Sequence, residues 1–146
     1  MSLFSSLSVS ASGLEAQRLR AETITANLAN AETTRTPEGG PWRRRDVVLV
    51  AEPQSSPFSA VFQTQLDDGV MGVGVADIAV DNRDPEKRYI PGHPDADAQG
   101  YVAFPRVQPA EEMVDLLGAS RGFEANVAAM TAVKDMLNRS IDLLKS

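Results

Sequence analysis

An α+β fold is predicted by three features of the sequence: a heptad stripe at each end, a valine-rich middle, and a later stretch dense in proline, glycine and aspartate. Long N- and C-terminal helices are expected to form a coiled-coil-like helical domain, with a small β-rich module inserted between them. The expected division is 1–32 for the N-terminal helix, 33–108 for the β-rich and loop module, and 109–146 for the C-terminal helix.

The first helix is expected from about Ser5 to Asn30. Its seam reads Leu7, Ser10, Leu14, Gln17, Ala21, Ile24 and Leu28, the alternating three- and four-residue spacing that keeps one face toward a partner helix. Ser5 and Ser6 suit the N-cap, and Glu15, Arg18 and Glu22 sit at helical spacing on the outer face. Thr33 and Thr34, then Pro37, Gly39, Gly40 and Pro41, end it. Asn27 and Asn30 read either as a helix nearing its C-cap or as functional positions.

Val47 to Val50, bounded by Pro41 and Pro53, read as a β-branched strand over about 43–52. A second strand is expected over Phe58–Leu66, where apolar and polar residues alternate, followed by a turn at Asp67-Asp68-Gly69. Val70 to Val80 form a third, with Gly72 and Gly74 marking a bulge or close backbone approach. From Asp81 to Pro109 the chain is expected to be ordered turn and loop, with short strands near Arg88–Ile90 and Tyr101–Phe104.

Pro109 fits the first turn of the second helix, with Glu111, Glu112 and Asp115 near its positive dipole end and Lys145 at the other. Its seam reads Met113, Leu116, Ser120, Phe123, Val127, Met130, Lys134, Leu137, Ile141 and Leu144. Gly118 and Gly122 each cost about 1 kcal/mol against alanine, which points to close helix approach there. Polar seam residues, among them Ser10, Gln17, Ser120 and Lys134, fix register and partner choice. A helix of this length exceeds what a compact chain of 146 residues can cover, so both ends are expected to need neighbouring helices and to be poorly ordered in a lone monomer.

Composition narrows the function classes. A formal charge of −6 and 5% aromatics argue against nucleic acid, the only basic cluster being Arg43, Arg44 and Arg45. The absence of cysteine removes disulfides and thiolate chemistry. No apolar run reaches the length of a membrane span, so no direct membrane insertion is expected. The first dozen residues lack a basic segment, so no cleaved secretory signal is expected. His93, Asp95 and Asp97 alternate as a metal loop would, but one histidine leaves the coordination shell incomplete, and a turn fixed by Asx-type bonds is the favoured reading. The isolated Gly72-x-Gly74 has neither third glycine nor phosphate-loop lysine, and no Gly-x-Ser-x-Gly elbow occurs. No enzyme, cofactor or metal is expected.

Ser12-Gly13-Leu14-Glu15-Ala16-Gln17 and Ala26-Asn27-Leu28-Ala29-Asn30-Ala31-Glu32-Thr33-Thr34 resemble the signature of bacterial flagellar rod and hook proteins. Further similarity runs through Thr36–Arg44, the Pro91–Asp97 loop, Gly100-Tyr101-Val102, Glu111–Leu117 and Ala119–Val127, and so covers nearly the whole chain. The Pro91–Asp97 loop narrows the resemblance to the proximal-rod group. Trp42 and Phe123 stand where that pattern has tyrosine, which removes a phenolic hydroxyl at each site.

The resemblance implies a structural subunit of the proximal rod, built helically into a hollow drive shaft in the periplasm that carries torque from motor to hook. It implies contacts with copies of itself, with FlgB-, FlgF- and FlgG-type rod subunits and an FliE-type adaptor to the membrane ring, and delivery by the flagellar type III export apparatus without signal cleavage. The assembly interface is then expected at Leu7, Leu14, Ala21, Ile24, Asn27, Leu28, Asn30, Met113, Leu116, Gly118, Gly122, Phe123, Asn126, Val127, Met130, Leu137, Ile141 and Leu144. Another axial subunit is the first alternative; a metal-dependent enzyme using His93, Asp95 and Asp97 is the second.

Overall fold

A computed structural model describes residues 3–53 and 70–145. Its elements are α1 (Leu3–Ala29), β1 (Arg45–Pro53), β2 (Met71–Val80), β3 (Glu86–Tyr89), β4 (Tyr101–Phe104) and α2 (Pro109–Lys145), an α+β chain. β1 and β2 form one two-stranded sheet, β3 and β4 another. The strand and turn expected over 58–69 lie outside the described residues.

Both helices begin and end close to where their sequence signals stand. At the end of α1 the Asn30 amide donates to the Ala26 carbonyl at 2.9 Å and its oxygen accepts from the Thr33 hydroxyl at 3.1 Å, closing the last turn. The following loop is pinned where Thr36 N–H reaches the Gly40 carbonyl and Trp42 N–H the Thr33 carbonyl. Gly39 and Gly40 hold φ of 90° and 78°, which side chains resist. α2 runs 37 residues with Glu111 and Glu112 in its first turn and Lys145 in its last.

The chain divides into two compact units, one drawn from Met1–Leu19, Leu49–Ala76 and Ala119–Ser146, the other from Arg20–Val48 and Asp77–Gly118. In the first, the Ser12 hydroxyl donates to the Val9 carbonyl and accepts from Val73 N–H at 3.0 Å, tying α1 to β2. Gly74 lies against the Glu52 carboxylate so closely that a Cβ there would collide with it, the close approach that Gly72 and Gly74 suggest. In the second unit β3 and β4 pair antiparallel, Glu86 opposite Phe104 and Tyr89 opposite Tyr101. The two tyrosine rings meet edge to face at 5.4 Å, and Val102, next to Tyr101 on β4, is fully buried.

The buried apolar residues among those described are few and mostly small: Ala16, Ile24, Val102, Val107, Ala119 and Val133. Asn27 and Glu112 are buried with them, at 0% and 1% exposure. A core this thin leaves much of the apolar surface of α2 in water.

Candidate assembly interface

The sequence-predicted positions on α1 are mostly turned inward. Ile24 and Asn27 are buried, and Leu7, Leu14, Ala21, Leu28 and Asn30 are half-buried. On α2 the outcome differs. Met113, Gly118, Phe123, Val127, Ile141 and Leu144 are exposed, and Leu116, Gly122, Asn126, Met130 and Leu137 are half-buried.

The face of α2 that turns inward is Glu112, Leu116, Ala119, Gly122, Asn126, Met130, Val133 and Leu137. The seam expected from bulk shares Leu116, Met130 and Leu137 with the inward face, while Met113, Ser120, Phe123, Val127 and Lys134 each lie one residue after an inward position and Ile141 and Leu144 lie beyond it. Counting large apolar side chains favoured Met113, Phe123 and Val127, whereas close approach selects small residues and polar groups that find partners. A Cβ on Gly13 would lie 2.8 Å from the Asn126 side chain, and one on Gly122 would lie 3.0 Å from that of Gln17. α1 and α2 meet here at bare backbone, and bulk would separate them. Gly118 differs: nothing lies within 4 Å of where its Cβ would stand. Gln17 Oε1 is buried at this contact with no hydrogen-bond partner in the described chain.

The second unit is held by a polar clamp. Asn27 Nδ2 donates to the Arg45 carbonyl at 2.7 Å, and Arg45 N–H donates to Asn27 Oδ1 at 2.9 Å. One side-chain amide thus bonds both backbone groups of a strand residue as a neighbouring strand would, which needs a donor and an acceptor together. The same amide donates to Glu112 Oε2 at 3.3 Å and accepts from the Trp42 indole N–H at 3.3 Å. Tryptophan here keeps a hydrogen-bond donor where tyrosine was expected to supply one.

Glu112 is buried beside a cation. Arg44 Nε donates to Glu112 Oε1 at 2.5 Å, while its other nitrogens pair with Asp46 and Asp115 at 3.4 and 3.7 Å. Burial works against the Arg44 charge, but the Glu112 and Asp46 carboxylates outweigh it and hold its pKa above the ordinary value. The three consecutive arginines separate: Arg43 reaches Asn82, Arg44 reaches Glu112, and the Arg45 guanidinium lies 4.7 Å over the Trp42 ring. Sequence reasoning missed Arg44 and the burial of Glu112. The available signal was an unbroken arginine run beside a strand in an otherwise acidic chain.

The Pro91–Asp97 loop is fixed by its own polar groups. Asp97 Oδ1 accepts from Gln99 and Tyr101 N–H, both at 2.9 Å, and these backbone bonds, that of Tyr101 foremost, hold its pKa below the usual carboxylate range. Asp95 accepts from the Thr34 hydroxyl at 2.8 Å and pairs with Arg35 at 3.6 Å, while His93 Nδ1 accepts from Asp95 N–H. Among the described residues no three His, Cys, Asp or Glu side chains are placed to hold a metal ion, and no helix is long and apolar enough to cross a membrane.

Comparison with known proteins meets the same segments. The model for "Flagella basal body rod protein" matches residues 7–35, which carry Asn27, and that for "Flagellar basal body rod FlgEFG protein C-terminal" matches 98–143, which carry Glu112. The flagellar basal-body rod protein FlgC of Bacillus subtilis is 43% identical, covering 99% of this chain and 100% of its own length. The chain belongs to the FlgC family of flagellar basal-body rod proteins. FlgC of Borreliella burgdorferi is 40% identical over 99% of both chains, and FlgC of Salmonella typhimurium 35% identical over 98% of both. As a member of that family it is a structural subunit of the flagellar basal-body rod.

Proposed function

We propose that this subunit builds the proximal rod, a hollow shaft crossing the periplasm, and that it assembles there helically and passes torque from motor to hook without catalysing a reaction. The observation that supports this most is near full-length similarity to FlgC rod proteins. A contact repeated with a rotation and a rise generates a tube, and helices that meet at glycine give it stiffness. The helical part comprises 1–32 and 109–146 and packs in coiled-coil fashion; the spacing of Glu112, Ala119, Asn126 and Val133 along α2 supports that geometry. Met113, Phe123, Val127, Ile141 and Leu144, exposed on α2, meet neighbouring subunits, and Gly118 on the open side admits a close one. Those neighbours are copies of this chain, FlgB-, FlgF- and FlgG-type subunits and an FliE-type adaptor, and the chain reaches them through type III export with its N-terminus uncleaved.

The test is complementation of a strain lacking its own FlgC, followed by imaging of purified basal bodies. The expected result is a restored rod with density for this chain next to the membrane ring. Restored motility with the chain absent from basal bodies, or the chain present only beyond the rod, would overturn the proposal.

A further inference from the structure

In the second unit, two adjoining cavities of about 80 and about 660 Å³ are both lined by Arg44, Arg83 and Arg106. Arg43 opens onto the smaller and Arg88 onto the larger; the carboxylates facing them are Asp81, Glu86 and Glu111. The arginines are unequally satisfied. Arg44 is taken by Glu112, Asp46 and Asp115, Arg83 by both oxygens of Asp81, and Arg88 by Glu86. Arg43 has the neutral amide of Asn82 at 2.8 Å, and Arg106 makes no hydrogen bond or close ion pair among the described residues, its charge reaching Asp81 and Glu86 only at longer range. Two exposed guanidiniums therefore flank one cleft with donors unused, in a chain whose formal charge is −6.

We propose that this cleft docks an acidic polypeptide segment of a neighbouring subunit, its carboxylates held by Arg43 and Arg106; that the neighbour is a rod component rests on the function proposed above. Guanidinium presents a planar fork that matches a carboxylate. Asp81, Glu86 and Glu111 already face the cleft, so separated single charges fit it better than one concentrated dianion such as phosphate. The net acidity of the chain disfavours nucleic acid as the occupant.

The test uses the full-length chain and a short oligo-glutamate peptide, followed by calorimetry and amide NMR. Binding is expected in low salt, with shifts confined to residues around Arg43, Arg83 and Arg106, and loss in roughly 1 M salt, where the Debye length is about 3 Å. Arg43→Gln and Arg106→Gln, on exposed side chains, should each weaken the peptide about fivefold while circular dichroism stays unchanged. No binding, equal binding by the variants, or displacement by equimolar inorganic phosphate would overturn the proposal. In complemented cells Arg106→Glu should lower incorporation into basal bodies. Full incorporation of that variant would reject the acidic docking site and leave the rod reading standing; absence of the wild-type chain from basal bodies would reject the rod reading, with the peptide measurements still deciding what the cleft binds.

Discussion

Replacing Asn27 by alanine removes one side chain and leaves four groups without a partner: the Arg45 N–H and carbonyl, the Trp42 indole N–H and one oxygen of Glu112. Each buried group left unpaired costs about 1–3 kcal/mol. Arg45 is an exposed residue and Trp42 half-buried, so water recovers part of their loss, whereas Glu112 is 1% exposed and recovers little. The expected total is about 3 kcal/mol, a large share of the roughly 5–15 kcal/mol that holds a domain of this size. Asn30→Ala is the internal comparison, since its bonds to Ala26 and Thr33 are local and half-buried, and about 1 kcal/mol is expected there. Equilibrium urea unfolding followed by circular dichroism measures both. Asn27→Asp should be at least as damaging as alanine, because it places a second carboxylate where the amide now donates to Glu112 at 3.3 Å. Equal, small losses for Asn27→Ala and Asn30→Ala would show that the clamp contributes nothing particular and would refute the reasoning.

Gly122→Leu forces a side chain into Gln17 and should abolish rod assembly with loss of the α1–α2 contact, while Gly118→Leu, facing open space, should leave the isolated subunit's unfolding curve intact; indistinguishable curves would remove the contact argument. The Arg83 side chain and N–H hold the Asp81 pKa down to about 2, below an ordinary value near 3.9, so their contribution is full above about pH 4 and disappears as the pH falls through 2. The stability difference between wild type and Arg83→Gln should therefore close on acidification, and a difference independent of pH would contradict the pairing. His93→Ala removes the acceptor for one loop N–H and should leave motility largely intact, whereas deleting Pro91–Asp97 should impair incorporation; complete loss with His93→Ala, rescued by a divalent metal, would favour the metal reading instead.

The helices were legible because their signals are local: proline at the start of α2, acidic residues in its first turn, threonine, proline and glycine after α1. β1, β2 and the short β3 and β4 also fall near their β-branched or aromatic runs, within a few residues. What escaped is set by distance along the chain. Asn27 and Asn30 read alike near a helix end, yet only Asn30 makes the local bonds that close it; Asn27 reaches Arg45 and Glu112, 18 and 85 residues away. The inward face of α2 escaped for another reason. Periodicity fixes the spacing of a seam but not which of two neighbouring stripes is covered, and the covered one here sets Ala119, Gly122, Asn126 and the paired Glu112 among Leu116, Met130, Val133 and Leu137, so that bulk alone does not single it out.

The placing of Glu112, Gly122 and Asn126 inside α2, each one residue before the exposed Met113, Phe123 and Val127, has a genetic consequence. Damage to the inward stripe, at Glu112, Ala119 or Asn126, should weaken the fold and lower the amount of subunit, so a normal gene copy should cover for it. On the proposed assembly, damage to the outward stripe, at Phe123 or Val127, should spare the fold and alter only what the subunit offers to others. Such a subunit can still enter a growing end through its intact faces and then refuse the next arrival. Inward alleles are therefore expected to be recessive and outward alleles dominant, and the two sets should alternate along a single helix at intervals of one residue.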